Sequence, residues 1–208
     1  MDAHSPNRMM VFSDCAFLIY ENVAQAALSA SETMRWFLRL KVPVRMAIAE
    51  GTCHSIRFSS DTYNHFNLTR AVFYGTGVVR AAEAEKHSGK GCRIFVHRSV
   101  GSEALAAVRE RVPAVKLPAA NIWSEYELCY LHESTPDDIE RTADDALLWK
   151  EVNDIAQTLT KPLMPAIAVQ YIATIDALNR MRHELKRPLF PSLPEGWEAE
   201  PKDSLGST

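Results

Sequence analysis

The sequence lacks the features that mark secreted, membrane-spanning and nucleic-acid-binding proteins. It has no apolar run of about 18 residues and no basic start followed by an apolar core. Lysine and arginine (23) are outnumbered by aspartate and glutamate (26), which gives a net charge of −3, whereas nucleic-acid-binding proteins carry a basic surface. The composition therefore predicts a cytoplasmic protein with no nucleic acid and no membrane among its partners.

Cysteine is also scarce and scattered. Cys15, Cys53, Cys92 and Cys129 stand far apart in the chain, which argues against a disulfide framework in a protein without an export signal. His54 follows Cys53 directly, but no second Cys or His pair stands at the spacing of a zinc site. These residues are predicted to be ordinary core or surface groups.

What the sequence does contain is typical of a globular domain. Hydrophobic residues make up 47% of the chain and charged residues 24%, values that exclude a disordered chain or a coiled coil. At about 150 residues per domain, a length of 208 residues predicts one domain with an appendage.

The first part of the chain alternates between apolar runs and turn-forming residues. Arg8–Phe12 and Ala16–Tyr20 are apolar runs on either side of a short polar segment, so they predict two strands joined by a tight turn. Ala24–Leu40 has apolar residues at helical spacing and predicts an amphipathic helix. Val44–Ala49 predicts a strand. The polar and aromatic stretch Thr52–Thr69 predicts an extended hairpin or a loop.

The middle of the chain continues the mixture of helices and strands. A glycine-bearing turn precedes an alanine-rich helix predicted from about Val78 to Lys86, and a strand follows at Cys92–His97. Ser102–Val108 predicts a short helix. Ser124–Leu131 alternates along its length, which predicts a strand with one buried and one solvated face.

The character of the sequence changes after residue 132. Pro and Asp residues open a helical segment, and a second helix carries apolar residues from Val169 to Leu185. Prolines recur in the last twenty residues, where large apolar groups are few. The predicted organisation is a mixed α/β domain over 1–132, a helical extension over 133–187 and a loosely ordered, proline-rich tail over 188–208.

Four short motifs in the α/β domain follow one another in a specific order. They are the turn Phe12–Asp14, the strand and glycine Val44–Gly51, the turn and helix Tyr74–Glu85, and the strand Arg93–Val96. In this order and at this spacing they resemble the class III nucleotide cyclases, the adenylate and guanylate cyclase catalytic domain family. The residues of these motifs are most similar to those of the divergent bacterial branch that includes pyrimidine cyclases.

The resemblance implies an α/β (α+β) fold, the ferredoxin-like nucleotide cyclase fold, followed here by the C-terminal helical extension. In the family, a first strand lies between the second hairpin strand and the strand after the first helix. Only seven residues precede Arg8, too few for that strand and its helices, so the predicted fold lacks its first strand. We therefore predict that Ala16–Tyr20 and Val44–Ala49 pair directly in parallel, with the helix between them as the crossover.

The resemblance also implies a chemistry. In the family, the 3′ hydroxyl of a nucleoside triphosphate attacks the α-phosphate and pyrophosphate leaves, with two divalent ions, Mg²⁺ or Mn²⁺, held by two aspartates. Asp14 occupies the hairpin aspartate position and is the predicted metal ligand; the aspartate of the first strand has no counterpart. The alternative for Asp14 is a turn residue that bonds its own backbone.

Some of the remaining family positions carry residues that suit phosphate binding, and others do not. Gly75 and Gly77 could offer backbone N–H groups to an anion, and Arg80 and Arg93 could bind phosphate; the alternative for both arginines is solvated surface. The family asparagine that orients the ribose falls on Val79, and the family arginine that stabilises phosphate charge falls on Glu83. These replacements leave the catalytic residues unassigned.

Three hypotheses follow from this pattern. The first is a nucleotide cyclase-like protein of cyclic-nucleotide signalling, degenerate or dependent on a partner, which would be a phosphorus–oxygen lyase if active. The second is a non-catalytic nucleotide-binding, dimerisation or regulatory module. The third hypothesis is that a segment upstream of Met1 supplies the missing strand and its aspartate. Because cyclase sites are built across a dimer, the expected partners are a nucleoside triphosphate and a second copy or a related cyclase chain.

Overall fold

The computed structural model describes residues 6–11, 15–40, 42–58, 70–130 and 165–184. Within these ranges the chain forms eight strands and four helices, alternating along the sequence. In chain order they are β1 (Arg8–Val11), β2 (Ala16–Ile19), α1 (Val23–Arg39), β3 (Met46–Ile48), β4 (His54–Phe58), β5 (Arg70–Tyr74), α2 (Thr76–His87), β6 (Ile94–His97), α3 (Ser102–Arg111), β7 (Ala114–Lys116), β8 (Ser124–Leu128) and α4 (Pro165–Glu184).

The central sheet has four strands in the order β3-β6-β8-β7. β3 and β6 are parallel, with Met46 opposite Ile94 and Ile48 opposite Val96. The β6–β8 and β7–β8 pairs are antiparallel. Because parallel neighbours need a long crossover, the segment from β4 to α2 connects β3 to β6. The mixed sheet with its helices confirms the predicted α+β class.

The main hydrophobic core lies on one face of this sheet. Ile94 and Val96 of β6 are fully buried in the same cluster as Met34 and Leu38 of α1. Phe95, between them in sequence, points to the opposite face because successive strand side chains alternate. The first three side chains of β6 are therefore buried, and His97 at its end is half-buried, as expected for a strand with a neighbour on both sides and a helix over the sheet.

α4 packs on the α/β domain. Its Leu178 and Met181 are buried in the main core, and its side chains bind the backbone just before β6. The Gly91 N–H donates to Gln170 Oε1 and the Cys92 N–H donates to Thr174 Oγ1, both at 2.9 Å. This helix therefore packs on the α/β domain of its own chain.

The N-terminal strands and the segment after β3 both form hairpins. β1 and β2 pair antiparallel, as predicted for the two apolar runs, and β4 and β5 pair antiparallel with His54 opposite Tyr74. β4 lies within Thr52–Thr69, which was predicted to be an extended hairpin or a loop, whereas its partner β5 begins after that stretch, at Arg70. α1 and α2 begin and end within two residues of their predicted bounds.

The predicted parallel pairing of Ala16–Tyr20 with Val44–Ala49 is wrong. Among the described strands, β2 pairs with β1 and β3 pairs with β6. The physical reason lies in burial: β3 shares a buried face with β6, where Ile48 lies opposite Val96. The face of β2 that carries Ala16 and Leu18 is exposed, so pairing with β3 would bring that face little burial.

Two further expectations need correction in the C-terminal half of the sheet. The predicted strand Ser124–Leu131 ends at Leu128, and it lacks the expected solvated face, because Glu127 is only 1% exposed. β7 was not predicted, since three residues are too few to show a period. The polar face of β8 is covered by arginines from two other segments.

Several expectations fall on residues that the structure does not describe. These are the boundary near residue 133, the first helix of the extension, the tail over 188–208, and Asp14. Within the described ranges, no helix combines the length and apolar character needed to cross a membrane.

The four cysteines carry free thiols in very different surroundings. Cys15 is exposed, whereas Cys92 and Cys129 are buried. Burial raises the pKa of Cys129 to about 12, with the charges of Glu127 and Glu184 adding to the effect; burial also raises the pKa of Cys92. Because the thiolate is the reactive form, the two buried thiols are inert in the native state.

We expect iodoacetamide at pH 8 to alkylate Cys15 in the native protein and to leave Cys92 and Cys129 unmodified until urea is added. Peptide mass spectrometry of native and unfolded samples measures the labelling of each site. Equal labelling rates for Cys15 and Cys129 without denaturant would contradict the burial described here.

Candidate functional site

The candidate site lies where β3 and β6 end. Both strands run in the same direction, and the N-termini of α2 and α3 lie at their carboxyl ends. In open α/β sheets, ligands bind outside the carboxyl ends of parallel strands, where helix N-termini also point. The site is therefore built from Glu50–Thr52 after β3, the start of α2, and the residues that follow β6.

Thr52 joins the end of β3 to the start of α2. Its hydroxyl accepts a hydrogen bond from the Thr76 N–H (3.1 Å) and its carbonyl accepts one from the Gly77 N–H (3.0 Å). In return, the Thr52 N–H donates to Thr76 Oγ1 (3.1 Å). The Gly77 N–H, which the sequence analysis offered to an anion, is therefore already bound to Thr52, and so is the neighbouring N–H of Thr76.

The glycines of this junction allow two backbone segments to touch. Gly75 has φ +143°, and a Cβ there would lie 2.2 Å from the Thr52 carbonyl oxygen. A Cβ on Gly51 would lie 2.4 Å from the Gly77 nitrogen. Both separations are far below van der Waals contact, so Gly51 and Gly75 are placed where close backbone packing excludes a side chain. A Cβ on Gly77 would lie 3.2 Å from the Gly51 carbonyl carbon, which is a tight contact.

Arg80 lies one turn into α2 and faces this junction. Its Nη1 donates to the Glu50 carbonyl oxygen at 3.0 Å. Glu50 is further fixed by its N–H, which donates to Ser99 Oγ (3.0 Å), and by its carboxylate, which accepts from the Gly101 N–H at the start of α3 (3.1 Å). Of the predicted substrate-binding residues, the structure thus brings Gly75, Gly77 and Arg80 together.

His97 is a titratable residue of this site that the sequence analysis did not single out. It is the last residue of β6, and its Nδ1 accepts a hydrogen bond from the Ser99 N–H at 2.8 Å. Burial lowers the pKa of His97, as does the charge of Arg80, while Glu83 acts in the opposite direction and Arg98 lowers it further. A lone histidine after an apolar strand matches no motif; its position at a strand's carboxyl end was the one available signal.

The two positions that differ from the cyclase pattern also lie on α2. Val79 is 55% exposed and carries no polar atom that could orient a ribose. Glu83 lies one turn beyond Arg80 and near His97, where its carboxylate brings negative charge to the site. Neither side chain can perform the role of the family residue at its position.

Arg93 lies at the other end of the sheet. The β3–β6 register puts it beside the amino end of β3, whereas Gly75 and Gly77 meet the chain after the carboxyl end. Arg93 makes two hydrogen bonds to Glu127, Nε to Oε1 at 2.7 Å and Nη2 to Oε2 at 2.5 Å. Its guanidinium also lies 4.6 Å from the centre of the Phe95 ring. Arg93 is thus held in a buried ion pair and does not join the other predicted site residues.

The predicted metal ligand cannot be placed in this site. Asp14 lies outside the described residues. In the described part of the chain, no three His, Cys, Asp or Glu side chains come close enough to hold a metal ion. The cofactor, Mg²⁺ or Mn²⁺, therefore stays a prediction from the sequence.

Comparison with known proteins supplies no relative for this site. No protein-family model matches the chain, and no curated protein or solved structure matches it either. Any function assigned to the site therefore depends on the chemistry of its own residues and on the cyclase resemblance of the motifs that build it.

Proposed function

We propose that the protein is a nucleotide cyclase-like component of cyclic-nucleotide signalling. It takes a nucleoside triphosphate at the carboxyl ends of β3 and β6, and it depends on a partner chain for conversion to a 3′,5′-cyclic nucleotide and pyrophosphate. The observation that carries the proposal is the meeting of two motifs that are distant in sequence. Gly51 ends the first, Gly77 lies in the second, and their backbones are in contact.

The order of elements supports a ferredoxin-like arrangement. A hairpin, α1 and β3 are followed by a second hairpin, α2 and β6, with β3 and β6 as parallel neighbours. Among the described strands, β3 has a ladder partner on one side. A strand from a second copy or a related cyclase chain could pair with its other edge, because the backbone N–H and C=O groups of an edge strand remain available.

Dependence on a partner follows from the residues on α2. Val79 and Glu83 stand where the family has the asparagine and arginine that act on ribose and phosphate. A single chain therefore provides Arg80 as its cation in this site, with Asp14 as the one carboxylate at a family metal position. A partner that provides the missing groups would complete the site.

A non-catalytic nucleotide-binding or regulatory module is the second candidate, and one observation favours it. Thr52 accepts the N–H groups of Thr76 and Gly77, and Glu50 accepts from Arg80. Groups that are already hydrogen-bonded within the protein contribute less to the binding of a ligand. This candidate binds nucleotide without turning it over.

The test measures cyclic nucleotide formed from each of the four triphosphates with Mn²⁺, at increasing protein concentrations. We expect product from at least one triphosphate, with a rate per chain that rises with concentration because a partner is needed. Asp14→Ala should abolish product, whereas Asp176→Ala, an exposed acid on α4, should leave it unchanged.

Two outcomes would contradict the proposal in different ways. Absence of product together with calorimetric binding of non-hydrolysable triphosphates would favour the regulatory module. Absence of both product and binding would exclude both candidates.

A further inference from the structure

An aromatic pair lies at the end of the β4–β5 hairpin that adjoins the candidate site. His54 is the first residue of β4 and Tyr74 is the last of β5, and the ladder places them opposite each other. Directly opposed side chains of an antiparallel pair share one face, with their Cβ atoms about 5 Å apart, so the two rings meet. Their centroids are 5.2 Å apart and their planes are inclined by 27°, which is a stacked arrangement.

The stacked pair is open to solvent. His54 is exposed, and Tyr74 keeps 49% of its surface accessible. Because His54 covers one face of the tyrosine ring, this exposed half comes from the other face and the edge of the ring. Aromatic rings gain from a second stacked ring beyond the area that they bury. The open face of Tyr74 is therefore a place where a further flat ring can be added to the stack.

The pair is held next to the junction between Thr52 and α2. His54 follows Thr52 by two residues, and Tyr74 precedes Thr76 by two. Thr52 and Thr76 are themselves joined, because the Thr76 N–H donates to Thr52 Oγ1 at 3.1 Å. Two residues of extended chain span at most about 7 Å, so the Cα atoms of the aromatic pair lie within about 7 Å of these threonines. They therefore lie beside the first turn of α2, where the positive end of the helix dipole favours an anion.

We propose that His54 and Tyr74 form a stacking platform for a planar aromatic ring, and that this ring is the base of a nucleotide. The identification of the ring as a nucleobase rests on the proposed function, because a nucleotide joins a base to the anionic phosphates that the start of α2 favours. The stacking of a planar ring does not rest on it, since it follows from an exposed aromatic pair held in a fixed geometry.

A platform of this kind contributes affinity without selecting a base. Every base has a π-face, so stacking on an aromatic side chain tolerates all of them. Selection of one base requires hydrogen bonds to its edge, which stacked rings do not provide. We therefore expect removal of the tyrosine ring to weaken the binding of all four nucleoside triphosphates by a similar factor, about tenfold.

The experiment uses the full chain with ¹³C-labelled histidine and tyrosine, and NMR reads the ring C–H signals. The probes are the four nucleoside triphosphates, a nucleoside without phosphate, and tripolyphosphate, which has no ring. We expect the ring current of a stacked base to move the signals of Tyr74 and His54 upfield, and tripolyphosphate to cause no such shift.

His87 is the matched internal control. It stacks on Trp123 with nearly the same geometry, a centroid distance of 5.1 Å and an angle of 27°. It is the last residue of α2, and a helix rises 1.5 Å per residue, so this second pair lies roughly 16 Å from the start of the helix. The His87 signals should therefore not move with any of the probes.

Three variants separate the ring from the rest of the side chain. Tyr74→Leu removes the ring but keeps apolar bulk on β5, so triphosphate affinity measured by calorimetry should fall about tenfold. Tyr74→Phe keeps the ring and should bind as the wild type does. His87→Leu removes the stack on Trp123 and should also bind as the wild type does. The NMR shifts of the unmodified protein test the proposal even if a variant fails to fold.

The outcomes distinguish this inference from the proposed function. Unmoved Tyr74 signals with every nucleotide, equal shifts at His54 and His87, an unchanged affinity in a folded Tyr74→Leu variant, or a loss confined to one base would overturn the inference. Upfield shifts in a protein that forms no cyclic nucleotide would support the inference and count against the cyclase proposal. Formation of cyclic nucleotide while the Tyr74 signals stay unmoved would do the reverse. An upfield shift with the nucleoside alone would support stacking of the ring without help from the phosphates.

Discussion

Replacing Glu127 with glutamine is expected to destabilise the protein by about 3–5 kcal/mol, the usual cost of removing one partner of a buried ion pair. Glu127 is 1% exposed, receives two hydrogen bonds from Arg93, and has Arg180 Nη2 of α4 3.4 Å from its Oε2. Without the carboxylate, the guanidinium of Arg93, itself only 11% exposed, is left buried without a counter-charge. Urea unfolding followed by circular dichroism measures the change.

Glu125→Gln is the matched control on the same strand. Glu125 lies 3.8 Å from Lys116, and both side chains are well exposed, so the change should cost less than about 0.5 kcal/mol. Because Glu127→Gln could leave too little folded protein to measure, a second variant replaces both partners, Arg93→Met with Glu127→Leu. This double variant should recover much of the lost stability, since neither charge is then left unpaired. Equal effects of the two single changes would refute the interpretation.

Replacing Gly75 with alanine is expected to cost several kcal/mol. A side chain at φ +143° carries about 1–3 kcal/mol of backbone strain. The added Cβ would also lie 2.2 Å from the Thr52 carbonyl oxygen, and overpacking of this kind costs about 1–3 kcal/mol. Urea unfolding followed by circular dichroism again measures the loss.

Gly101→Ala is the control for Gly75→Ala. Gly101 has φ −63°, and its Cβ would have Glu50 Oε2 as its nearest neighbour at 3.9 Å. It precedes α3 as Gly75 precedes α2. Its replacement should change stability by less than about 1 kcal/mol, the scale of an N-cap preference. If the two alanine variants were equally stable, the close contact between Gly75 and Thr52 would not exist in solution.

The sequence predicts the individual helices and strands of this fold well. It predicts less well which strands pair and which segments pack together. Apolar spacing places α1 and α2 within two residues, because helix formation depends on neighbours three and four positions away. It does not indicate which strand β3 joins, since any strand with an apolar face could compete. The alternation in β8 identifies which residues share a face, but the arginines that cover Glu127 come from positions 34 and 53 residues away in the chain.

The site shows the same division. The sequence correctly placed Gly75, Gly77 and Arg80 close together because they belong to one continuous motif, which fixes their relative positions. Arg93 was grouped with them by chemistry alone, yet it lies at the opposite end of the sheet, in the pair with Glu127. His97 was missed because its surroundings are assembled from the ends of β3 and β6, which are distant in sequence.

The packing of α4 on the core determines when folding of the sheet domain can be completed during synthesis. Cys92 and Tyr130 are buried in the core that α4 helps to close, and the backbone N–H groups of Gly91 and Cys92 find their acceptors on Gln170 and Thr174. A nascent chain that has reached residue 130 holds each described strand of the central sheet but not α4, which packs on its core. Folding of the sheet domain is therefore finished only after α4 has left the ribosome, and until then the nascent domain presents apolar surface that chaperones would recognise.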